Sequence, residues 1–437
     1  MVGRYSKSDP RFREKHASFF CSNGPSPHSR PFARNAVGPY LDQTPMIQRP
    51  IPLTFSHRVS FTHGAFDPKN HTLRDLVAEG CSLDGTAKVL VLLDDGLSGA
   101  APALVDRISG YFAAHGDTLD LVAAPLSLPG GESCKNDWSL VERIWKAIEF
   151  FKICRHSYVI AIGGGAFLDL AGFGAATAHR GIRLIRMPST TLSQGDGGVG
   201  VKNGVNYFGK KNWVGTFSVP FAVVNDLDFI AHLPPRACRD GLIEAVKVAL
   251  IRDRAFYEYL QENGPALGRL EKKPVEVAIR RSAENHVDHI ATSGDPFEYG
   301  SARPLDFGHW VAHKLEQISA FSVSHGEAVA IGMSVDLLYS VHSGLLPRRT
   351  AEEILSLIET IGFPLWSEAL DREERGRPVI LAGLEEFREH LGGRLTITLI
   401  PAIGRKVEVH EMDEQAILAA LNELRKRHET AAKAMTS

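Results

Sequence analysis

No stretch of this 437-residue chain approaches the ~18 uninterrupted apolar residues that a membrane span needs. An excess of one charge is lacking too: Lys+Arg 49 stand against Asp+Glu 51, a formal net charge of -2. That balance gives no general drive toward nucleic acid or an anionic membrane surface. Cysteine is scarce; Cys21, Cys81, Cys134, Cys154 and Cys238 are scattered, odd in number and without C-x-x-C spacing. A disulfide framework, a zinc knuckle and a dithiol redox motif therefore drop out, and reduced thiols in a cytoplasmic protein are the expectation. No internal repeat is found. What is present is 44% hydrophobic and 23% charged, an ordinary globular composition with length for two or three domains and a large core.

Residues 1–48 differ from the rest. Basic residues such as Arg4, Lys7, Arg11, Arg13 and Lys15 outnumber Asp9, Glu14 and Asp42, and Ser, Pro and Asn are plentiful. Such a segment buries too little apolar surface to offset its ordering entropy, which predicts a disordered leader. An Arg- and Ser-rich, acid-poor leader also fits an organelle transit peptide, although no clear amphipathic helix runs through it.

From Val89 a βα pattern sets in. Apolar runs at 89–93, 119–124 and 158–162 predict strands, and stretches at 103–114 and 139–152 predict helices between them. Strands alternating with helices imply a doubly wound parallel sheet, with ligands beyond the carboxyl ends of its strands. After Pro234-Pro235 the pattern turns helical, with helices expected near 236–251, 273–292, 309–319, 325–343, 350–361 and 411–427 and a lone late strand at 395–400. The expected organisation is a leader over 1–48, an α/β domain over 49–233, a mainly α-helical domain over 234–427, and a tail over 428–437, with a cleft between the two domains.

Several segments carry candidate chemistry. Gly163-Gly164-Gly165 joins a strand to a helix, where glycine lets a pyrophosphate approach the backbone and the helix N-terminus; a plain tight turn reads equally well. Asp94 ends the first strand, as a ribose acceptor or a helix cap. Lys202, Lys210 and Lys211 crowd a Gly- and Asn-rich segment that suits an oxyanion or, more simply, a solvated hairpin. Glu244 and Lys247 share a helix face, His309 and His313 share another, and His325 follows. One carboxylate with two imidazoles is a catalytic zinc-type ligand set that leaves positions for water or substrate, although any one of these histidines alone reads as a core or surface residue.

Taken in order, Gly130-Gly131-Glu132-Ser133-Cys134-Lys135, Gly163 to Asp169, His179-Arg180-Gly181, Pro188 to Lys202, Gly209 to Asn212, Gly241 to Lys247, Asp306 to His309 and His325-Gly326-Glu327 resemble the sugar phosphate cyclases, the superfamily typified by 3-dehydroquinate synthase. The resemblance runs from about residue 57 to 405. It implies an NAD-binding N-terminal domain and a helical domain holding one divalent metal, zinc or cobalt. It implies Glu244, His309 and His325 as metal ligands, and Asp94, Glu132, Lys135, Gly164, Gly165, Asp169, Ser189 and Thr190 as NAD contacts. Lys202, Lys211, Asn212, Lys247 and His313 match substrate and phosphate contacts, with Asp196 among them and His313 a candidate proton shuttle. Arg180 corresponds to an arginine that reaches a neighbouring subunit's substrate phosphate, which implies a homodimer. The implied chemistry oxidises an alcohol of a seven-carbon sugar phosphate, eliminates phosphate, returns the hydride and closes a carbocycle by an aldol step, so that NAD is not consumed.

The departures bear on the substrate. Dehydroquinate synthases hold a substrate carboxylate with a Lys and an Arg; aligned without gaps on Glu298 and His309, these positions fall on Asp288 and Ala302, with Arg303 one residue away. A carboxylate facing a carboxylate is repulsive. Asp306 replaces the usual Asn, as in the C7-cyclitol synthases that take sedoheptulose 7-phosphate, while His313 is retained as in dehydroquinate synthases, and Thr190 follows Ser189 instead of Thr. This mixture resembles the divergent EboD-type group and favours a neutral ketose phosphate over the carboxylated heptulosonate 7-phosphate. Metal-dependent alcohol and glycerol dehydrogenases share the two-domain plan as a rival class, but normally use Asp with histidines and lack the lysine cradle.

Overall fold

Strands made of unbroken apolar runs are buried on both faces, which is what a parallel sheet covered by helices requires. The computed structural model describes residues 49, 51, 53–80, 85–293, 295–297, 305–390 and 393–436, and those from residue 55 onward form one compact unit. The expected leader, Cys21, Cys81, Glu298, Ala302 and Arg303 lie outside the described residues. The first half runs β1 (Val59–Thr62), α1 (Thr72–Gly80), β2 (Ala87–Asp94), α2 (Asp95–Ala100), α3 (Leu104–Ala114), β3 (Leu119–Leu121), β4 (Leu126–Leu128), α4 (Trp138–Phe150), β5 (Tyr158–Gly163), α5 (Gly165–Thr177), β6 (Arg183–Pro188), α6 (Thr191–Gly195), β7 (Lys202–Tyr207), β8 (Lys210–Phe217) and β9 (Ala222–Asp226).

Seven of these strands form one parallel sheet in the order β1-β9-β6-β5-β2-β3, with β4 also on β2. The register pairs Leu93 with Ile162 and Gly163 with Pro188, so the carboxyl ends of β2, β5 and β6 lie side by side. Apolar clusters cover both faces: Val91, Ile160 and Ile185 lie on one side, and Leu92, Ala161 and Leu184 on the other. The single strand expected over 119–124 is instead two short ones, β3 and β4. Pro125 between them has no N–H to give the ladder. β7 and β8 form a separate antiparallel hairpin.

The second half comprises α7 (Pro235–Arg252), α8 (Arg254–Glu262), α9 (Gly264–Gly268), α10 (Lys272–Thr292), α11 (His309–Ile318), α12 (His325–His342), α13 (Arg348–Ile361), β10 (Glu373–Glu374), β11 (Arg377–Pro378), α14 (Ala382–His390), β12 (Ile397–Ala402), β13 (Arg405–Val409) and α15 (Glu414–Thr436). The expected helices from 236 to 361 are all found, each end within two residues. Two expectations change. The lone late strand has an antiparallel partner, β13, across a turn in which Gly404 takes φ +78°, and the last helix runs beyond 427 to Thr436. These helices share one apolar core that includes Phe256, Trp310 and Leu424. Cys134, Cys154 and Cys238 are free, and burial pushes the Cys134 thiol up to about 12, which makes it unreactive. Among the described residues no helix is long and apolar enough to cross a membrane.

Candidate metal and dinucleotide site

Three helices bring the metal-type residues together. α7 carries Glu244 and Lys247 three residues apart on one buried face. Ser324 caps α12 in a capping box with Glu327, which places His325 at the first helical position. His309 opens α11, behind a glycine at φ +80° that also packs directly on the backbone of Met333 in α12; a Cβ at Gly308 would overlap that backbone. Close approach of α11 and α12 therefore depends on Gly308, and it sets both imidazoles beside Glu244.

One ligand atom from each of Glu244, His309 and His325 lies within 4.8 Å of the others. His325 Nε2 is 3.3 Å and His309 Nε2 3.9 Å from Glu244 Oε1. The other ring nitrogens are engaged elsewhere: His309 Nδ1 lies 3.1 Å from the carbonyl of Phe307, and His325 Nδ1 lies 3.5 Å from Glu316 Oε1. Such outer contacts orient a metal-binding imidazole and fix its tautomer. Both Glu244 oxygens are buried and accept no aligned hydrogen bond among the described residues. A buried oxygen and two Nε2 atoms on one point suit a divalent cation of the zinc type, so the residues present fit the metal.

The charges here are strongly coupled. Burial works against ionising Glu244, but Lys247 and then His325 outweigh it and hold the carboxyl well below its usual range. Lys247 pairs directly with Glu244 and lies 3.4 Å from Asp196 Oδ2; burial opposes its charge, yet the two carboxylates raise its ammonium above the usual value. Burial and the Lys247 charge hold His309 neutral, well below the ordinary histidine range. His325 moves the other way: burial would lower it, but Glu244 and Glu316 raise it to about 10.

The dinucleotide-type residues gather at the carboxyl ends of the strands. Gly164 caps α5, a thirteen-residue helix, and a Cβ on Gly165 would meet nothing within 4 Å, so the helix N-terminus is open to an anionic group. Asp94 is buried, takes the N–H of Gly96 at 2.9 Å, and is pushed upward by burial. It is thus the helix cap of α2, and it also packs against the glycine turn: side chains at Gly130 or Gly163 would collide with it. Ser189 donates its N–H to Gly163 at 2.9 Å, and Thr190 caps α6. Lys135 is buried, 2.9 Å from Asp169 Oδ2, and also donates to Asn212; Glu132 Oε1 accepts from Asn206 at 3.2 Å.

The β7–β8 hairpin connects the two groups. Lys202 opens β7, and on β8 Lys211 Nζ lies 3.7 Å from Glu316 Oε1 of α11. Asn212 stands at φ 54° with its N–H on Asn206. Gly241 of α7 packs on the backbone of α6, which puts Asp196, just beyond α6, within reach of Lys247. Asp306 acts electrostatically on Lys247, and the His313 ring lies 5.5 Å from that of His309. Arg180 is not part of this assembly. It is exposed, at φ 63°, just past the C-terminal end of α5, about 20 Å of helix away from Gly165.

Three neighbours of the site were not singled out from sequence. Glu316, buried, touches both His325 and Lys211; it stands seven residues after His309, two turns along the same helix face, and that spacing is the signal for it. Arg186, fully buried in β6, donates to the carbonyl of Lys202 at 2.6 Å and to Asn203 Oδ1 at 2.7 Å, and reaches the carbonyl of Gly200 at 3.2 Å. His286 of α10 lies with Nδ1 3.2 Å from Asp196 Oδ1.

Comparison with known proteins agrees with this geometry. The N-terminal domain profile of 3-dehydroquinate synthase matches residues 125–240 and its C-terminal profile residues 241–377. A 3-dehydroquinate synthase of Halorhodospira halophila is 36% identical over 283 residues, 64% of this chain and 78% of that protein. A 2-epi-valiolone synthase of Actinosynnema mirum is 33% identical over 345 residues, 78% of this chain and 87% of that protein. Among solved structures, the 2-epi-5-epi-valiolone synthase of Streptomyces hygroscopicus, with NAD+ and Zn2+ bound, superposes with a TM-score of 0.75 at 25% identity, covering 87% of this chain and 100% of that one. The chain belongs to the 3-dehydroquinate synthase family and is a cyclase of that type.

Proposed function

We propose that this enzyme converts a seven-carbon ketose phosphate without a carboxylate, sedoheptulose 7-phosphate, to a carbocycle with release of inorganic phosphate. The observation that carries the reading is the convergence of Glu244, His309 and His325 on one point beside Lys247 and Asp196. Glu244, His309 and His325 would hold the metal, zinc or cobalt. Asp94, Glu132, Lys135, Gly164, Gly165, Asp169, Ser189 and Thr190 would hold NAD. When bound, these two groups supply a Lewis acid and a reversible hydride acceptor.

The rest of the work falls to side chains that position and balance charge. Lys202, Lys211 and Asn212 on the hairpin bind the phosphate, and Lys247 neutralises oxyanion charge next to the triad. His313 relays a proton at its imidazole. Arg180, exposed beyond the end of α5 that lies away from Gly165, completes the phosphate site of a second subunit in a homodimer. Asp306, where dehydroquinate synthases have Asn, adds one carboxylate that acts on Lys247 and so disfavours a substrate carrying another. The resemblance to valiolone synthases supports the same preference.

Incubation of the purified protein with NAD+ and zinc, with either sedoheptulose 7-phosphate or the carboxylated heptulosonate 7-phosphate, tests this. Phosphate release from the first with no net NADH is expected. Release from the carboxylated sugar alone would make the protein a true 3-dehydroquinate synthase, and accumulation of NADH with no phosphate would make it a dehydrogenase.

A further inference from the structure

Counting without gaps places Asp288 where a dehydroquinate synthase has its carboxylate-binding lysine. In the structure Asp288 is exposed on α10, and His286, two residues earlier and about 200° around the helix, is the residue turned inward. The His286 side chain is 15% exposed, with Nδ1 3.2 Å from Asp196 Oδ1. Its Nε2 edge faces the Gly197–Gly200 turn, 3.6 Å from where a Cβ on Gly200 would stand. The charges acting on the ring are those of Asp196, Lys247, Lys202 and Glu244, so it looks onto the region between the metal triad and the phosphate lysines. The Nδ1 atom is buried, and its approach to Asp196 is not aligned as a hydrogen bond; no other partner for it is found among the described residues. With Nδ1 closed off from solvent against Asp196, Nε2 is the ring atom left for a ligand.

Burial keeps this imidazole below the ordinary histidine range, the Asp196 charge offsetting only part of the effect. A neutral ring offers one donor and one acceptor, which matches a hydroxyl and gives a carboxylate no counter-charge.

We propose that His286 is a specificity-determining residue whose imidazole hydrogen-bonds a hydroxyl of the sugar, at a place where a carboxylated substrate would need a cation. The inference rests on the substrate class proposed above. It makes Asp196 a positioning residue for the His286 ring in addition to its contact with Lys247.

The test compares wild type with His286→Ala, His286→Gln and, as a control on the outer face of the same helix, Asp288→Ala. Calorimetry with NAD+, inorganic phosphate and sedoheptulose 7-phosphate is run alongside steady-state kinetics. His286→Ala should weaken binding of the ketose phosphate and raise its KM about tenfold, the size of one lost hydrogen bond, with NAD+ and phosphate affinities held within about twofold. His286→Gln should recover most of the loss, and Asp288→Ala should behave as wild type. Unchanged sugar binding in His286→Ala, or equal loss of all three ligands, overturns the assignment alone. A wild type that turns over only the carboxylated sugar overturns the substrate reading and this inference together.

Discussion

Loading the triad with zinc at neutral pH should release one proton, and His325 is its source. In the metal-free protein burial and the Lys247 charge keep His309 neutral, so it has no proton to lose at pH 7. Glu244 is held ionised by Lys247 and His325 against the cost of burial. His325 differs because Glu244 and Glu316 raise it to about 10, and an imidazolium has no lone pair to offer a metal. Below pH 10 each zinc must therefore displace a proton from His325, so affinity rises with pH. Between pH 7 and 9 the slope should be close to tenfold per unit, about 1.4 kcal/mol each. Competition with a chromophoric chelator gives that slope. Titration calorimetry in two buffers of different ionisation enthalpy gives the proton count directly. A pH-independent affinity over this range, or an enthalpy that does not depend on the buffer, would refute the argument and mean that Glu244 and Glu316 do not hold His325 charged.

Two further outcomes rest on buried polar groups outside the ligand set. Arg186→Met leaves the carbonyl of Lys202 and Asn203 Oδ1 without their close donor, at about 1–3 kcal/mol each, partly offset because a cation is no longer buried. The melting temperature should fall and inorganic phosphate should bind more weakly while NAD+ affinity holds; unchanged phosphate binding would mean that Arg186 does not position Lys202. Asp336 takes the N–H of Gly308 at 2.9 Å and of the Trp310 indole at 2.8 Å, and burial raises it to about 7, above the unfolded value near 3.9. Its ionised form is therefore penalised in the fold, and stability present at about pH 4 declines as pH rises to 7, by up to roughly 4 kcal/mol. Asp336→Asn removes that decline, so the melting temperature of the variant relative to wild type should climb between pH 5 and 8 whatever constant cost the amide brings. A constant gap would rule the titration out.

The parts of the fold legible in sequence were those where one local pattern decides. The run Tyr158 to Ile162 has no charged position and reads as a fully buried strand; α11 shows apolar residues at helical spacing, and α7 and α12, buried nearly all round, are apolar stretches too long for a strand. Spacing gave only the pairs Glu244–Lys247 and His309–His313 on single helices; which residues form the triad was legible through the ordered motifs that resemble the sugar phosphate cyclases. What escaped needed distances between elements. Arg186 reads as an ordinary polar break in a strand until the Gly-rich turn at 197–203 folds over it. His286 escaped because a gapless count back from His309 lands on Asp288, two residues further along α10 and on its exposed side.

A charge account links these observations to the reaction. Glu244, Asp196, Glu316 and Asp306 carry four formal negative charges around the triad, and Lys247, Lys202, Lys211 and the imidazolium of His325 carry four positive ones. Without metal the site is therefore close to neutral and gives a phosphate dianion little net attraction. A divalent ion that displaces one proton raises the site by a single positive charge. It also takes the imidazolium away from Glu316, which is left facing Lys211 of the hairpin. That added charge would make metal and a phosphate dianion favour each other's binding, reciprocally and by the same free energy, while Glu316, no longer facing an imidazolium, opposes part of the gain. Glu316 is the residue that feels both charges, as the one buried carboxylate in contact with both a metal-type histidine and a hairpin lysine among the described residues.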